Sequence, residues 1–591
     1  MKKIVIYSLM LLSLVEAGCS KETITPWGFD NSENSPSSTA EIGSGSTSGA
    51  TGSTTAEVYE DEEDLTYAST NFVRTISIVF SDSKGASVEG DENGIVTVEG
   101  NQVTADNTST SEKVKYILSG STANGYFKVY SSNKQAIVLN GVSITNPGGA
   151  AINNQGHKRC FVEVVGTSTL ADGPSYTQTP EDEDEKAAFF SEGQLIFCGS
   201  GTLNVTAQGK NGITSDDYVR LLASPTINVS SSAGHALRGK DAVIINDGTL
   251  VAQVSANMKK GVASDSLVLF NGGVTTIKVT GGTAYDDEEQ EYKSSAGVRA
   301  DQLFVMNAGT LTITNSGQGG KGISGDGPGY FQGGTVDVTV TGSNYGSYSS
   351  QGGRPGFGGG NSSSSDDNSK SAKGIKFDGN IYISDGVISS RASNHEAIET
   401  KGKMEISGGT VYAQSKDDAI NSAGMMAIIG GKVCAYSTGN DGLDANGNLY
   451  IEGGVVYAIG SGGAEVAIDA NTEGGCKLYV SGGVLFALGG LESGASLTQN
   501  CYQASWSRST WYSLEAGSDV FSFKTPSSGG TTLVVSAPST PELHSGTTPS
   551  GDTSFDGMAV FDGSYSGGNS VSLSSYSSQG GMGGMGGGGR R

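Results

Sequence analysis

Two sets of oxygen-bearing side chains recur at an almost constant interval. Glu396, Asp418 and Asp441 follow one another after 22 and 23 residues, and Glu399, Asn421, Asp444 and Asp469 after 22, 23 and 25. Members of the first set stand just before a small–aliphatic pair (Ala397-Ile398, Ala419-Ile420, Gly442-Leu443), and members of the second just after one. If successive repeats stack, each set becomes a column whose oxygens lie roughly 4.8 Å apart. At that spacing two carboxylates repel by about 3.5 kcal/mol at an effective dielectric near 20. Such a column must shift its pKa values, hold a cation or stay solvated. Calcium bonds oxygen at about 2.3–2.6 Å, so one ion can bridge neighbouring repeats. Asp, Glu and Asn without His or Cys suit calcium over zinc. His157, His235, His395 and His544 are far apart in sequence and no Cys-x-x-Cys pair occurs, which leaves zinc without support. The seven residues are candidate calcium ligands; a solvated acidic edge is the plain alternative.

Earlier in the same two columns the charge is reversed. Lys321 and Lys373 precede Glu396, and Arg238, Ala263, Arg299, Ser324 and Lys376 precede Glu399. A third column, two residues further on, reads Asp216, Lys240, Asp265, Asp301, Asp326, Asp378, Lys401, Ala423, Asn446 and Asn471. Asp and Asn suit tight corners, and these are expected to be turn residues.

A second chemistry-bearing group is aromatic. Tyr412 and Tyr457 alternate with small or aliphatic residues after Gly-Gly turns, and Tyr382, Tyr450 and Tyr479 do so one strand earlier. If the aliphatic neighbours point inward, all five tyrosines point outward. An outward Tyr offers an apolar face and a polar handle to a sugar ring. Tyr is also common on any strand, and packing is the competing use.

Both groups require an element that repeats faithfully. Small–aliphatic pairs recur from Gly212-Ile213 to Ala467-Ile468, mostly 22 to 25 residues apart. The later half of the unit repeats too, as in Asn271-Gly-Gly-Val-Thr275, Ser407-Gly-Gly-Thr-Val411 and Ser481-Gly-Gly-Val-Leu485. Short aliphatic strands with Gly turns at this period fit one coil of a parallel β-helix; a propeller blade needs about twice the length. The spacing predicts an all-β chain, a right-handed parallel β-helix over residues 131–490. Residues 65–130 and 491–560 are expected to form β caps, because a solenoid must close its ends. Two units carry insertions, around Asp286-Asp-Glu-Glu289 and from Gly346 to Ser371.

Composition agrees. The 591 residues hold 36 Lys+Arg against 61 Asp+Glu, a net charge of −25, and 91 Gly. So much Gly excludes a helical bundle, since each costs a helix interior about 1 kcal/mol relative to Ala. The charge argues against a nucleic-acid partner. Lys2 and Lys3 precede an apolar run from Ile4 to Val15 and then Cys19. This resembles a lipoprotein signal over residues 1–18 with Cys19 lipidated, departing from the pattern at Glu16. It predicts a surface-exposed outer-membrane lipoprotein, with a tether over 19–64 and a Gly/Ser-rich tail over 561–591. The remaining cysteines, Cys160, Cys198, Cys434, Cys476 and Cys501, are expected to be buried or loosely paired.

The segments Val96–Val103, Tyr116–Gly120, Ile137–Ile144 and Ser168–Gly173, with the coils after them, resemble a bacterial carbohydrate-binding family. The resemblance runs from about Thr75 to Thr540. Members are secreted, calcium-binding right-handed β-helices similar in fold to pectate lyases, and some bind acidic plant polysaccharide such as polygalacturonate. The resemblance implies a non-catalytic, calcium-dependent binder of acidic polysaccharide. Two alternatives stay open. A lyase would need a base such as Lys376 or Arg391, although Lys376 stacked on Glu399 reads as a salt bridge. A surface adhesin or spacer would use the tether, the loops and the Gly-Met tail.

Overall fold

The computed structural model describes residues 61–177, 180, 183–346, 370–462, 465–561 and 563–578. The segment 1–18, Cys19, most of the expected tether, most of the second insertion and the end of the tail lie outside them. The chain is a parallel β-solenoid of about 14 turns with almost no helix. Each coil contributes three short strands, so the solenoid has three faces.

The first face is a 15-stranded sheet that ends on the strand Ile468–Ala470. Its inward row consists of Ile213, Leu237, Val262, Val298, Ile323, Ile375, Ile398, Ile420, Leu443 and Ile468, paired coil to coil. All ten are buried. Burying each such side chain contributes about 1.5–3 kcal/mol, and the row forms the continuous core that the repeat predicts. The small residue before it has a steric cause: a Cβ on Gly322 would lie 2.2 Å from Val338 Cγ1.

The second and third faces meet at a corner built by glycine. Gly273, Gly309, Gly334, Gly386, Gly409, Gly431, Gly454 and Gly483 all have φ between 70° and 95°, where only glycine is unstrained. They are the second glycines of the Gly-Gly turns or their equivalents. In four middle coils one strand runs through this corner, as in Leu303–Asn315.

The N-terminal end is closed by an antiparallel hairpin, Val96–Glu99 with Gln102–Asn107. Residues 61–64, expected to belong to the tether, are docked. The short helix Glu62–Leu65 places Asp64 in full burial between Arg159 Nε (2.7 Å), Arg220 Nη1 (3.0 Å) and the Tyr218 hydroxyl (2.7 Å). Tyr67 and Phe72 then cover the outward residues Ala136, Phe161 and Ile196.

At the other end Leu533–Ser536 pairs antiparallel with Val484–Leu488 and stops the parallel stack on the third face. A six-stranded antiparallel sheet follows, built around Trp511–Ala516 and Asp519–Lys524. It includes Asn569–Val571, so part of the expected tail belongs to the cap. Pairing with Glu542–Ser545 holds it there. Cys160, Cys434 and Cys501 are buried free thiols, and Cys198 is a half-buried one.

The corner glycines give a direct expectation. A Cβ on Gly431 would meet Gly408 O at 2.6 Å with φ at 78°. Gly431→Ala should destabilise the chain by about 1–3 kcal/mol, read as a lower denaturation midpoint. An unchanged midpoint would show that the corner is not strained by a side chain.

Candidate functional site

The two charged columns lie side by side on the outer surface of the first face, and one residue proves their adjacency. Lys373 Nζ stands 3.0 Å from Glu396 Oε2 and 2.6 Å from Glu399 Oε2, touching both columns of the next coil. Register carries the second column from Lys376 to Glu399, Asn421, Asp444 and Asp469. Rows of cations become rows of acids between Lys373 and Glu396.

The acids are not equivalent. Glu396 is buried, which would raise its pKa, but a bond to His395 and the Lys373 charge pull it down to about 2. His395 Nδ1 also lies 3.1 Å from Asp417 Oδ2. Among the described residues His395, Glu396 and Asp417 bring potential ligand atoms within 4.8 Å of one another, as do Asp184, Glu192 and Asp216. With Lys373 beside it, Glu396 already has its counter-charge, and Lys373 serves Glu399 as well. These two of the seven expected ligands are thereby tied into ion pairs.

In the next three coils the acids of these columns form no ion pair among the described residues. Asp418 is pushed up to about 9 by burial and then by Asp444, Asp417 and Asp441. Asp441 rises to about 8 by burial, then Glu465 and Asp444. Asp444 rises to about 6 by burial, then Glu396 and Asp417. Asp469 rises to about 9 by burial and its bond with Glu492. Asn421 Nδ2 donates to Asp418 Oδ2 at 3.1 Å and to Asp444 Oδ2 at 2.7 Å, bridging two coils. The backbone N–H groups of Asp441 and Val466 donate to Asp418 Oδ1 (3.1 Å) and Asp441 Oδ1 (2.6 Å). Five of the expected ligands thus form one carboxylate-rich strip, buried at Asp418 and Asp441 and half-buried at Asn421, Asp444 and Asp469. Glu465 and Glu492 join it, and the sequence reading missed both because they lie outside the repeated positions. Adjacent coils thus bring oxygen donors side by side, although no three of these carboxylates are among the groups of described residues whose ligand atoms lie within 4.8 Å of one another.

The tyrosines separate into two groups. Tyr412 and Tyr457 do leave the coil on its outer side, but the C-terminal sheet roofs them. Tyr457 is fully buried against Phe486 and Phe523 and donates its hydroxyl to Lys524 O at 2.9 Å. Tyr412 is buried against Phe555 under Arg391. The expectation that these two meet a sugar is corrected: packing of the cap on the third face uses them. Tyr382, Tyr450 and Tyr479 stay half-buried on the second face. Tyr450 and Tyr479 stack at 4.8 Å and 7°, and Tyr382 stacks on Tyr330 at 5.0 Å and 12°.

The two possible bases are also engaged elsewhere. Lys376 is in register with Glu399, yet its ammonium binds Asp378, a residue of the third column. Arg391 binds Asp337 and Asp556, fastening the cap. The third column is more than turn geometry: Asp265 pairs with Arg238, and Asp301 and Asp326 pair with Arg299.

The first coils match a carbohydrate-binding family. Its members are described as carbohydrate-binding domain-containing proteins, and residues 99–266 are the part matched. A protein so named from Acetivibrio thermocellus is 31% identical over 144 residues, which make up 22% of this chain and 50% of that protein. The chain therefore spans about half the length of this curated relative. A solved structure of a polysaccharide lyase-like protein from C. thermocellum, a gadolinium derivative, is 20% identical. It covers 45% of this chain and 96% of its own, with a TM-score of 0.36. The matched stretch contains the basic rungs up to Lys260 and ends before the insertions and the acidic strip.

The acidic strip has a signature in pH. Asp418, Asp441, Asp444 and Asp469 have folded pKa values above the unfolded value near 4, so the native state binds more protons and loses stability as pH rises. The melting temperature in chelator should fall from about pH 4 to about pH 9, and calcium should restore it at the upper end. Asp418→Asn should raise the melting temperature in chelator near pH 8 and remove about half of the calcium-induced gain. Melting curves insensitive to both pH and calcium would dispose of the cation site.

Proposed function

We propose that this chain is a non-catalytic binder of acidic polysaccharide, held at a bacterial surface through lipid on Cys19, with calcium bridging protein and uronate carboxylates. The observation that carries the reading is the strip Asp418, Asn421, Asp441, Asp444 and Asp469. Asp418 and Asp441 are buried, Asn421, Asp444 and Asp469 are half-buried and follow one another in register, and none of the four carboxylates forms an ion pair among the described residues. A divalent ion would balance them and leave coordination positions for a sugar carboxylate. The match of the first coils to a carbohydrate-binding family supports the saccharide part of the reading. The relative's name points the same way. The engagement of Lys376 and Arg391 in ion pairs supports the absence of a lyase base beside the strip.

The strip and the half-exposed tyrosines share coils. Asp444 precedes Tyr450 by six residues, and Asp469 precedes Tyr479 by ten, each pair separated by the corner between the first and second faces. A polymer crossing that corner would bring carboxylates to the ion and ring edges to Tyr450 and Tyr479.

Titration of polygalacturonate into the protein, with calcium and with chelator, tests this. Affinity should drop at least about tenfold in chelator, and Asp418→Asn with Asp444→Asn should reproduce that drop in calcium. Tyr450→Ala with Tyr479→Ala should weaken binding by about 1–2 kcal/mol. Equal affinity of the unmodified chain in calcium and chelator would refute the reading.

A further inference from the structure

In a protein with a net charge of −25, two ammonium groups of the basic half of the columns lack a carboxylate partner among the described residues. In the basic half of the two columns Arg238 and Arg299 are paired with acids of the third column, and so is Lys376. Lys373 is held by Glu396 and Glu399. Lys260 and Lys321 are the exceptions: neither forms an ion pair with a carboxylate among the described residues. Lys321 Nζ donates to the carbonyls of Ser371 and Gly319 instead. Register places Ala296 between the two lysines. They are thus two rungs, roughly 10 Å, apart with only a methyl group between them. His235 lies beside Lys260, its Nδ1 accepting the Lys260 backbone N–H at 3.0 Å. Burial, then Arg299, Lys259 and Lys293, lower Lys260 to about 8, and burial, then Lys373 and Lys376, lower Lys321 to about 7. Neither amine has a carboxylate in salt-bridge contact among the described residues; Asp301 acts on Lys260, and Glu396 and Glu399 on Lys321, only from further off, and the acids Asp286 and Glu289 of the first insertion are bound to Lys293.

A second observation is independent of charge. Both insertions into the repeat are sewn to this region, and each brings aromatic rings. The hairpin Ala284–Asp286 with Glu291–Lys293 runs into the coil at Ala296, and Thr283 N donates to Gln318 O at 2.7 Å. The other insertion is tied by Gly319 N to Ser343 O at 2.7 Å and by Tyr345 pairing with Lys370. Tyr285, Tyr292 and Tyr345 form one cluster, with centroids 5.1 and 5.4 Å apart. Tyr285 is 45% exposed, whereas a ring cluster that serves packing alone would be covered. Unpaired ammonium groups beside an exposed aromatic ring suit an anionic sugar, whose carboxylate meets the cations while its C–H face meets the ring.

We propose that Lys260 and Lys321, with Tyr285, Tyr292 and Tyr345 beside them, form a second saccharide site that takes uronate carboxylates directly, without a metal. The proposal rests on the reading that the ligand is an acidic polysaccharide. It adds a basic contact several coils from the acidic strip, so a long polymer could engage both.

The test is calorimetric titration of galacturonate oligomers into the full chain in excess chelator, where the acidic strip is silent. The unmodified chain should retain binding. Lys260→Gln should lower that affinity about tenfold, and so should Tyr285→Ala, which lies on an exposed hairpin and spares the core. Asp418→Asn with Asp444→Asn should reduce the calcium-dependent part of the binding. The site is overturned if Lys260→Gln and Tyr285→Ala both bind as the unmodified chain does, or if a neutral galactose oligomer binds equally well. It is also overturned if calcium-dependent binding persists but binding in chelator is nil, which leaves the strip standing. Absence of binding under both conditions overturns both readings.

Discussion

Coils that stack in register bring every side chain to within about 5 Å of its equivalents above and below. That constraint governs the rest of this molecule. An aliphatic residue repeated at one position becomes a core, and a charged residue repeated at one position becomes a column that repels itself. The first outcome appears in the row from Ile213 to Ile468. The second appears on the outside of the same strands, where each charge must be balanced by another column, shifted in pKa or left for a ligand.

The chain uses all three outcomes. Arg238 and Arg299 are balanced from the next column along the strand. The sign change between Lys373 and Glu396 balances one junction between coils. Beyond that junction the acids outnumber the cations, and burial turns the imbalance into raised pKa values rather than into solvated charge. Before it, Lys260 and Lys321 show the same imbalance with the opposite sign. One face thus carries two separate regions of unpaired charge, several coils apart.

Residues outside the repeat decide which outer surfaces remain open. The C-terminal sheet covers the third face over Tyr412, Cys434, Tyr457 and Phe486. The N-terminal segment covers the second face over Phe161 and Ile196, anchored by buried Asp64. The last coils of the second face keep Tyr450 and Tyr479 half-exposed as a stacked pair.

The period of the small–aliphatic pairs alone determined the solenoid, its inward row and the columns of Glu396, Glu399, Asp418, Asn421, Asp441, Asp444 and Asp469, because a local repeat in a stacked fold has one register. The opening segments, through their likeness to a known family, pointed to a saccharide ligand. Tertiary structure decided what the repeat could not encode. Tyr412 and Tyr450 follow the same alternation in sequence, yet one is roofed by a sheet some 100 residues later and the other is not. Lys376 was legible as a neighbour of Glu399, but its ammonium turns along its own strand to Asp378 while Lys373 reaches across to the glutamates. Glu465 and Glu492 enter the acidic strip from irregular segments, and Tyr285, Tyr292 and Tyr345 meet from two separate insertions. Sequence periodicity specifies which residues share a column; which way a long side chain leans, and what covers it, depends on atoms that the period does not contain.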